Sequence, residues 1–215
     1  MKKTVSDLWE DIFKDYNVLS EIKDNGWYKI SADQIRNYKE PRLMTKFDYS
    51  AQLPNIFKNN GLGILPINNG EYIIGKYNMF KNISNTKYEE IEPKKVSLPD
   101  FIETIDPDYI YSESNALNVA LLSGMIKDAI GEEVVETIQG KMRAMGFKFN
   151  IDGEDGINTI EIQRPAMEID GGYEGNNNVV LIEAKNYLPK DFIIRQLYFP
   201  YRHWIDKVTK PITPI

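Results

Sequence analysis

Residues 167–185 read MEIDGGYEGNNNVVLIEAK, and the pairing within this stretch decides how the C-terminal half is read. Met167 to Asp170 opens one strand, Asn178 to Lys185 forms the next, and Gly171 to Asn177 joins them. Asparagine tolerates positive φ, so Asn176 and Asn177 are predicted to form a two-residue turn. Gly175 then opposes Asn178, cross-strand partners sum to 353, and Asp170 faces Glu183. Side chains alternate along a strand, so Glu183 and Lys185 share one face with Asp170 and with Glu168, which lies opposite Lys185. Unpaired charges are costly on a buried hairpin; these groups must pair with one another or hold a cation. A structural salt-bridge cluster is the plain alternative for Asp170, Glu183 and Lys185. Glu168 reads as a partner that holds Lys185, with a fourth place in the site as its alternative.

Around this hairpin the expected order is helix, three strands, helix. Ser112 is predicted to cap a helix to about residue 130, and Gly131-Glu132-Glu133 to open a second one to about Met145. Asn158 to Gln163 is the first strand and the hairpin supplies the other two. A basic helix follows over about 191–208. Lys210-Pro211-Ile212-Thr213-Pro214-Ile215 reads as the lead into a further strand. This predicts either a fragment truncated at its C-terminus or a sheet edge covered by a partner chain.

Upstream, apolar residues at 8, 9, 12, 13, 16, 19 and 22 have helical spacing, with Ser6 as the expected cap of a helix over 6–24. Trp27 to Ile30 reads as a strand, Ser31 as the cap of a short helix, and Ser50 to Asn60 as a helix ended by Gly61. Ile64 to Ile67, the turn Asn68-Asn69-Gly70 and Glu71 to Gly75 spell a hairpin. Three helices and a hairpin point to a winged-helix-like domain over 1–83. An acidic, proline-containing linker over 84–111 follows, and a catalytic domain over 112–215.

Composition narrows the chemistry. The 215 residues include no cysteine and one histidine, His203, which excludes thiol catalysis, cysteine-ligated metals and two-histidine sites. Carboxylates, lysines and a hard cation held by oxygen remain. The net charge of −6 argues against general polyanion binding, yet residues 185–210 carry six Lys or Arg against two acids. No apolar run is long enough to span a membrane and no signal peptide opens the chain, so an intracellular protein is expected.

Asp170, twelve intervening residues and Glu183-Ala184-Lys185, followed by a helix with Gln196 and Tyr201, resembles the PD-(D/E)XK nuclease motif. Met167-Glu168-Ile169 stands where the motif's name has a proline. The start at Ser112 to Ala116 and the segment from Lys46-Phe47-Asp48 to Lys76 look like type II restriction endonucleases of that superfamily. The resemblance implies an α/β (α+β) fold: a restriction-endonuclease-like core, with a mixed sheet flanked by helices, behind the winged-helix-like domain. It implies Mg²⁺-dependent hydrolysis of double-stranded DNA at a specific sequence, leaving a 3′-hydroxyl and a 5′-phosphate. Asp170, Glu183 and the Ala184 carbonyl are the implied metal ligands, and Lys185 steadies the water or the developing phosphorane charge. Glu113 and Gln196 are further catalytic candidates. Arg42, Lys46, Lys58, Arg195, Arg202 and His203 are candidate DNA contacts.

A homodimer, a cognate DNA methyltransferase in the host and a prokaryotic cytoplasmic location are likewise implied. Two alternatives stay open: another nuclease of the superfamily acting in repair or junction resolution, and a catalytically silent DNA-binding or assembly protein.

Overall fold

Thr4 starts the first helix. Its hydroxyl accepts from the Asp7 N–H at 3.2 Å while the Asp7 carboxylate accepts from the Thr4 N–H at 2.8 Å, a reciprocal cap that opens α1 (Val5–Asp15). Ser6, the cap expected from sequence, instead accepts from the Asn55 N–H at 3.1 Å. The helix expected over 6–24 breaks at Asn17, whose φ is 51°, and α2 (Val18–Asn25) follows. The structure is a computed structural model that describes residues 3–84, 95–153 and 156–215.

Next come β1 (Trp27–Ser31), α3 (Ala32–Arg36) and α4 (Pro41–Thr45), the last with Pro41 in its first turn. The helix expected over 50–60 is a 3₁₀ turn at Ser50–Gln52 and a separate α5 (Asn55–Asn59), because Pro54 cannot continue a helical ladder. Strands β2 (Gly63–Asn68), β3 (Glu71–Gly75) and β4 (Phe80–Asn82) follow, with Gly70 at φ 70° in the hairpin turn. Farther along lie α6 (Glu113–Leu122), α7 (Met125–Ile130), β5 (Val135–Arg143), β6 (Phe147–Gly153), β7 (Gly156–Ile162), β8 (Ala166–Glu174), β9 (Val179–Ile182), β10 (Asp191–Ile193), α8 (Arg195–Trp204) and β11 (Ile212–Pro214).

Two units divide the chain. The first takes the described residues up to Ile83 together with Arg143–Ala166 and Lys190–Ile194. Its sheet runs β1-β3-β2, both pairs antiparallel, under a core in which Trp9, Phe13 and Phe57 meet edge to face at 4.9–6.2 Å. Strands β6 and β7 form an antiparallel ribbon in this same unit, and β10 pairs with β4.

The second unit takes Ser84–Met142, Met167–Pro189 and Arg195–Ile215. Its sheet has the order β11-β9-β8-β5, with β8 and β9 antiparallel and β11 parallel to β9. β9 is central, and Val179, Val180 and Leu181 are all buried. Such a strand reads as a continuous apolar run rather than an alternation. α8 packs on β9 and β11, and Leu117 of α6 approaches Gly171 of β8.

Several expectations change here. Residues 135–143, expected in a helix to Met145, form strand β5: Gly131 at φ 84° ends α7, and Val134, Val135, Thr137 and Ile138 are β-branched. Gly124, at φ 78°, splits the helix expected over 112–130. The strand expected at 158–163 lies in β7, which pairs with β6 in the first unit, so β5 stands beside β8 in the sheet of the second. One division falls between Ile83 and Ser84, where it was expected, but none falls at 111/112, and 143–166 and 190–194 join the N-terminal residues.

Among the described residues of the expected linker, 95–111, no helix or strand forms; residues 85–94 lie outside the described set. The tail expected to lead into a strand is itself one. Glu183 donates its N–H to the Ile215 carbonyl at 2.9 Å, and this chain's own β11 covers the edge of β9 expected to lie bare or under a partner.

Candidate active site

The hairpin register is the one expected: Gly171 pairs with Ile182, Gly172 with Leu181, Tyr173 with Val180 and Glu174 with Val179. Gly175 donates to Asn178 across the turn at 3.0 Å. Extended by one pair, this register sets Asp170 opposite Glu183, where the ladder stops. There the Asp170 carboxylate replaces a main-chain acceptor, and its Oδ2 takes the Ala184 N–H at 2.9 Å.

Burial is the largest influence on Asp170 and pushes its carboxyl up. The Ala184 N–H and the Lys185 ammonium pull it down, while Glu113 and Glu168 push it up again, and the net direction is upward. Lys185 beyond β9, Glu113 of α6 and Glu168 of β8 are thus each near enough to Asp170 to act on it through charge. Ser112 positions Glu113 by capping α6, its hydroxyl accepting from the Asn115 N–H at 3.2 Å.

Lys185 is ion-paired with Glu183, and their side chains are 17% and 9% exposed. The expected partner Glu168, which is exposed, acts instead on Asp170. The reason is the strand period: Glu183 and Lys185, two residues apart, already lie on the same face.

Asp170, Glu183 and the Ala184 carbonyl are hard oxygen donors of the kind Mg²⁺ takes alongside water. Burial disfavours the charge on Asp170, and Glu113 and Glu168 act in the same direction, a situation that a divalent cation relieves. The donor set fits that ion. Among the described residues, no group of three or more His, Asp or Glu side chains is arranged to hold a metal by itself.

Gln196 stands in the first turn of α8, and its Oε1 is buried without a hydrogen-bond partner. Arg195 and Arg202 are half-buried on the same helix, with Arg202 donating to the Tyr198 hydroxyl at 3.3 Å. His203, a candidate phosphate contact in the sequence, is 8% exposed. Its ring stands edge-on to Trp204 at 5.0 Å, and its Nε2 lies 2.6 Å from Lys207 Nζ. An imidazole so enclosed is withdrawn from a phosphate backbone. Burial lowers its proton affinity first, and Lys207 lowers it further.

In the N-terminal unit Arg42, Lys46 and Lys58 are all exposed. Lys46 lies 3.7 Å from the Asp48 carboxylate, and Lys58 donates to the Ala51 carbonyl at 2.6 Å.

One supporting residue escaped the sequence reading. Glu132 accepts from the Asn177 N–H, the Asn177 amide and the Asn178 amide at 3.0–3.2 Å, and so holds the turn of the β8–β9 hairpin. A Cβ on Gly175 would lie 2.5 Å from the Glu132 carboxyl carbon, so the glycine admits that carboxylate. Lys210 secures the same end through Glu174 at 2.6 Å and the Gly175 carbonyl at 2.8 Å. Reading 131–145 as one helix hid the role of Glu132. The paired asparagines of the turn, rich in unspent donors, were the available signal.

Residues 75–215 match a family described as Domain of unknown function (DUF6997), and residues 6–74 match one described as Domain of unknown function (DUF6996). No curated protein and no solved structure matches the chain.

Proposed function

The chain belongs to the family described as Domain of unknown function (DUF6997), and we propose that this member is a Mg²⁺-dependent type II restriction endonuclease of the PD-(D/E)XK kind. The observation that carries the reading is the β8–β9 register, which sets Asp170 opposite Glu183 with Lys185 paired on the same face. The sheet order β11-β9-β8-β5 supports it. A helix precedes this sheet, and α8 separates β9 from a parallel final strand, as a mixed sheet flanked by helices requires. The N-terminal β1-β3-β2 sheet with its short helices supports a winged-helix-like DNA-reading unit.

Held by Asp170, Glu183 and the Ala184 carbonyl, Mg²⁺ would supply charge neutralisation at the scissile phosphate and a more acidic water. Lys185 places a positive charge beside that phosphate and Glu183 orients its ammonium. Gln196 orients water, and Glu113 adds a further acid. Arg195 and Arg202 contact the backbone of double-stranded DNA, and Arg42, Lys46 and Lys58 do so from the N-terminal unit. Cutting both strands of a symmetric site calls for two such centres, hence a homodimer, and the host requires a cognate methyltransferase. The prokaryotic cytoplasm is the matching location; no helix among the described residues is long and apolar enough to cross a membrane.

A second reading draws on the same bonds. Glu183 is spent on Lys185 and Asp170 on Ala184, as in a cluster that only stabilises a catalytically silent DNA-binding or assembly protein.

Digestion of a long unmethylated phage DNA separates these readings, run with Mg²⁺, with EDTA, and with Lys185→Ala. Discrete fragments that vanish with EDTA and with the variant are expected. A smear turns the assignment to a repair or junction-resolving nuclease. Intact DNA, together with Mg²⁺ binding by calorimetry that Asp170→Ala leaves unchanged, selects the silent protein.

A further inference from the structure

Pro200 lies inside α8, where it brings no N–H. A helical residue normally donates to the carbonyl four positions earlier, so the Gln196 carbonyl has no i+4 donor. The side chain of that same residue holds a buried oxygen with no hydrogen-bond partner. A main-chain acceptor without its usual helical donor and a side-chain acceptor without a partner therefore belong to one residue, on the first turn of a helix that packs on β9, the strand running into Glu183 and Lys185. Native proteins rarely leave a buried acceptor unsatisfied without a use for it.

We propose that Pro200 is a positioning residue: by withholding a donor it keeps the Gln196 carbonyl and amide oxygen open to the two hydrogens of one water, the water that attacks the phosphodiester. This rests on the nuclease reading above and adds to it the element that prepares Gln196. In the hydrolysis the water oxygen bonds to phosphorus as the bond from phosphorus to O3′ breaks. One water proton passes to solvent, and the leaving O3′ takes one from solvent. An N–H at position 200 closes the Gln196 carbonyl within the helix and releases the water.

The test compares wild type, Pro200→Ala, Gln196→Ala, the double variant, and the ester counterpart of Pro200→Ala, in which lactic acid replaces residue 200. The ester has neither the ring nor the N–H, so it separates the missing donor from ring packing. Cleavage of duplex DNA with Mg²⁺ is followed as kcat and KM. Pro200→Ala is expected to lose about tenfold in kcat and Gln196→Ala about a hundredfold, with KM within about twofold. The double variant is expected to be no worse than Gln196→Ala, because both remove one shared water site, and the ester to recover most of the Pro200→Ala loss.

Wild-type kcat in Pro200→Ala, losses that multiply in the double variant, or an ester no better than alanine each overturns the proposal while leaving the nuclease reading in place. Failure of both alanine and ester to fold assigns Pro200 to packing and overturns it too. A wild-type protein that cleaves no DNA overturns the nuclease reading itself, and this inference with it.

Discussion

Ala184 donates its main-chain N–H to Asp170 Oδ2 at 2.9 Å where the β8–β9 ladder ends, so a side chain performs the pairing that a backbone carbonyl performs one step earlier. The substitution of carboxylate for carbonyl brings a negative charge to the end of an apolar strand, close to Glu113 and Glu168. Stability is given up at that point, and a charged site is what is obtained for it.

Asp170→Asn makes that trade visible. The folded-state value of Asp170 lies above its ordinary 3.8, chiefly through burial. For an acid shifted upward the folded state binds the proton more tightly, so stability declines as pH rises from about 3.8 through the folded-state value and stays lower above it. Asparagine keeps an acceptor for Ala184 and removes the charge. The thermal midpoint of Asp170→Asn is therefore expected above wild type at pH 7 and level with it near pH 3, while the DNA cleavage proposed for the wild type is expected to drop by at least about a thousandfold. A variant less stable than wild type at pH 7 contradicts the electrostatic account.

Glu132→Ala addresses the far end of the hairpin. Burial pushes the Glu132 carboxyl up, but the donors of Asn178 and Asn177 prevail and the net direction is down. An acid shifted downward contributes stability above its ordinary 4.5 and loses it as pH falls through the lower folded-state value. In hydrogen exchange at pH 7 the Asn177 amide, which donates to Glu132, is expected to exchange faster in Glu132→Ala, with the Val180 and Leu181 amides less affected. Unchanged exchange at Asn177 would show that the turn holds without its carboxylate.

The hairpin was legible because its signals are local: a two-asparagine turn fixes the register, and period-two alternation then places Glu183 and Lys185 on one face. The helix caps were partly legible; Ser31 and Ser112 cap as read, whereas Thr4 displaces Ser6 because its partner Asp7 lies three residues on. Strand β5 was misread because acids at 132, 133 and 136 imitate a helix start, and only pairing with β8 rewards its β-branched residues. Which sheet β7 joins is a tertiary choice with no local mark in the sequence. The burial of His203 likewise depends on a helix finding its sheet, and Glu168 lost Lys185 to Glu183, which lies only two residues away along the chain.

Gly153→Ala tests the first unit. A Cβ at Gly153 would stand 2.0 Å from the Lys76 carbonyl oxygen, a backbone atom without rotamers to escape through. The neighbouring Asn78 N–H donates to the Asp152 carbonyl at 2.8 Å, which ties the two segments together. Overpacking of this kind costs about 1–3 kcal/mol, and here the upper end is expected because main chain must move. Urea unfolding followed by tryptophan fluorescence reads the loss, since Trp9 lies buried in this unit. A midpoint equal to wild type shows that the two segments separate without cost.

His203 gives the last prediction, with the sign opposite to that of Asp170. Burial, then Lys207, holds the imidazole below its ordinary 6.5, so the folded protein keeps it neutral where the unfolded chain protonates it. A base shifted downward contributes stability that is full above about 6.5 and lost as pH falls through that value toward the folded-state one. Neutral Nε2 accepts from Lys207 Nζ at 2.6 Å, and the same ammonium sits 4.8 Å over the Trp204 ring. A proton on His203 removes that acceptor and sets two cations against each other. Unfolding midpoints of wild type are expected to fall between pH 8 and pH 5.5, with His203→Gln, which keeps an amide acceptor and does not titrate, showing a shallower decline over that range. Parallel curves for the two proteins would assign the pH dependence to other groups and leave the imidazole a packing residue only.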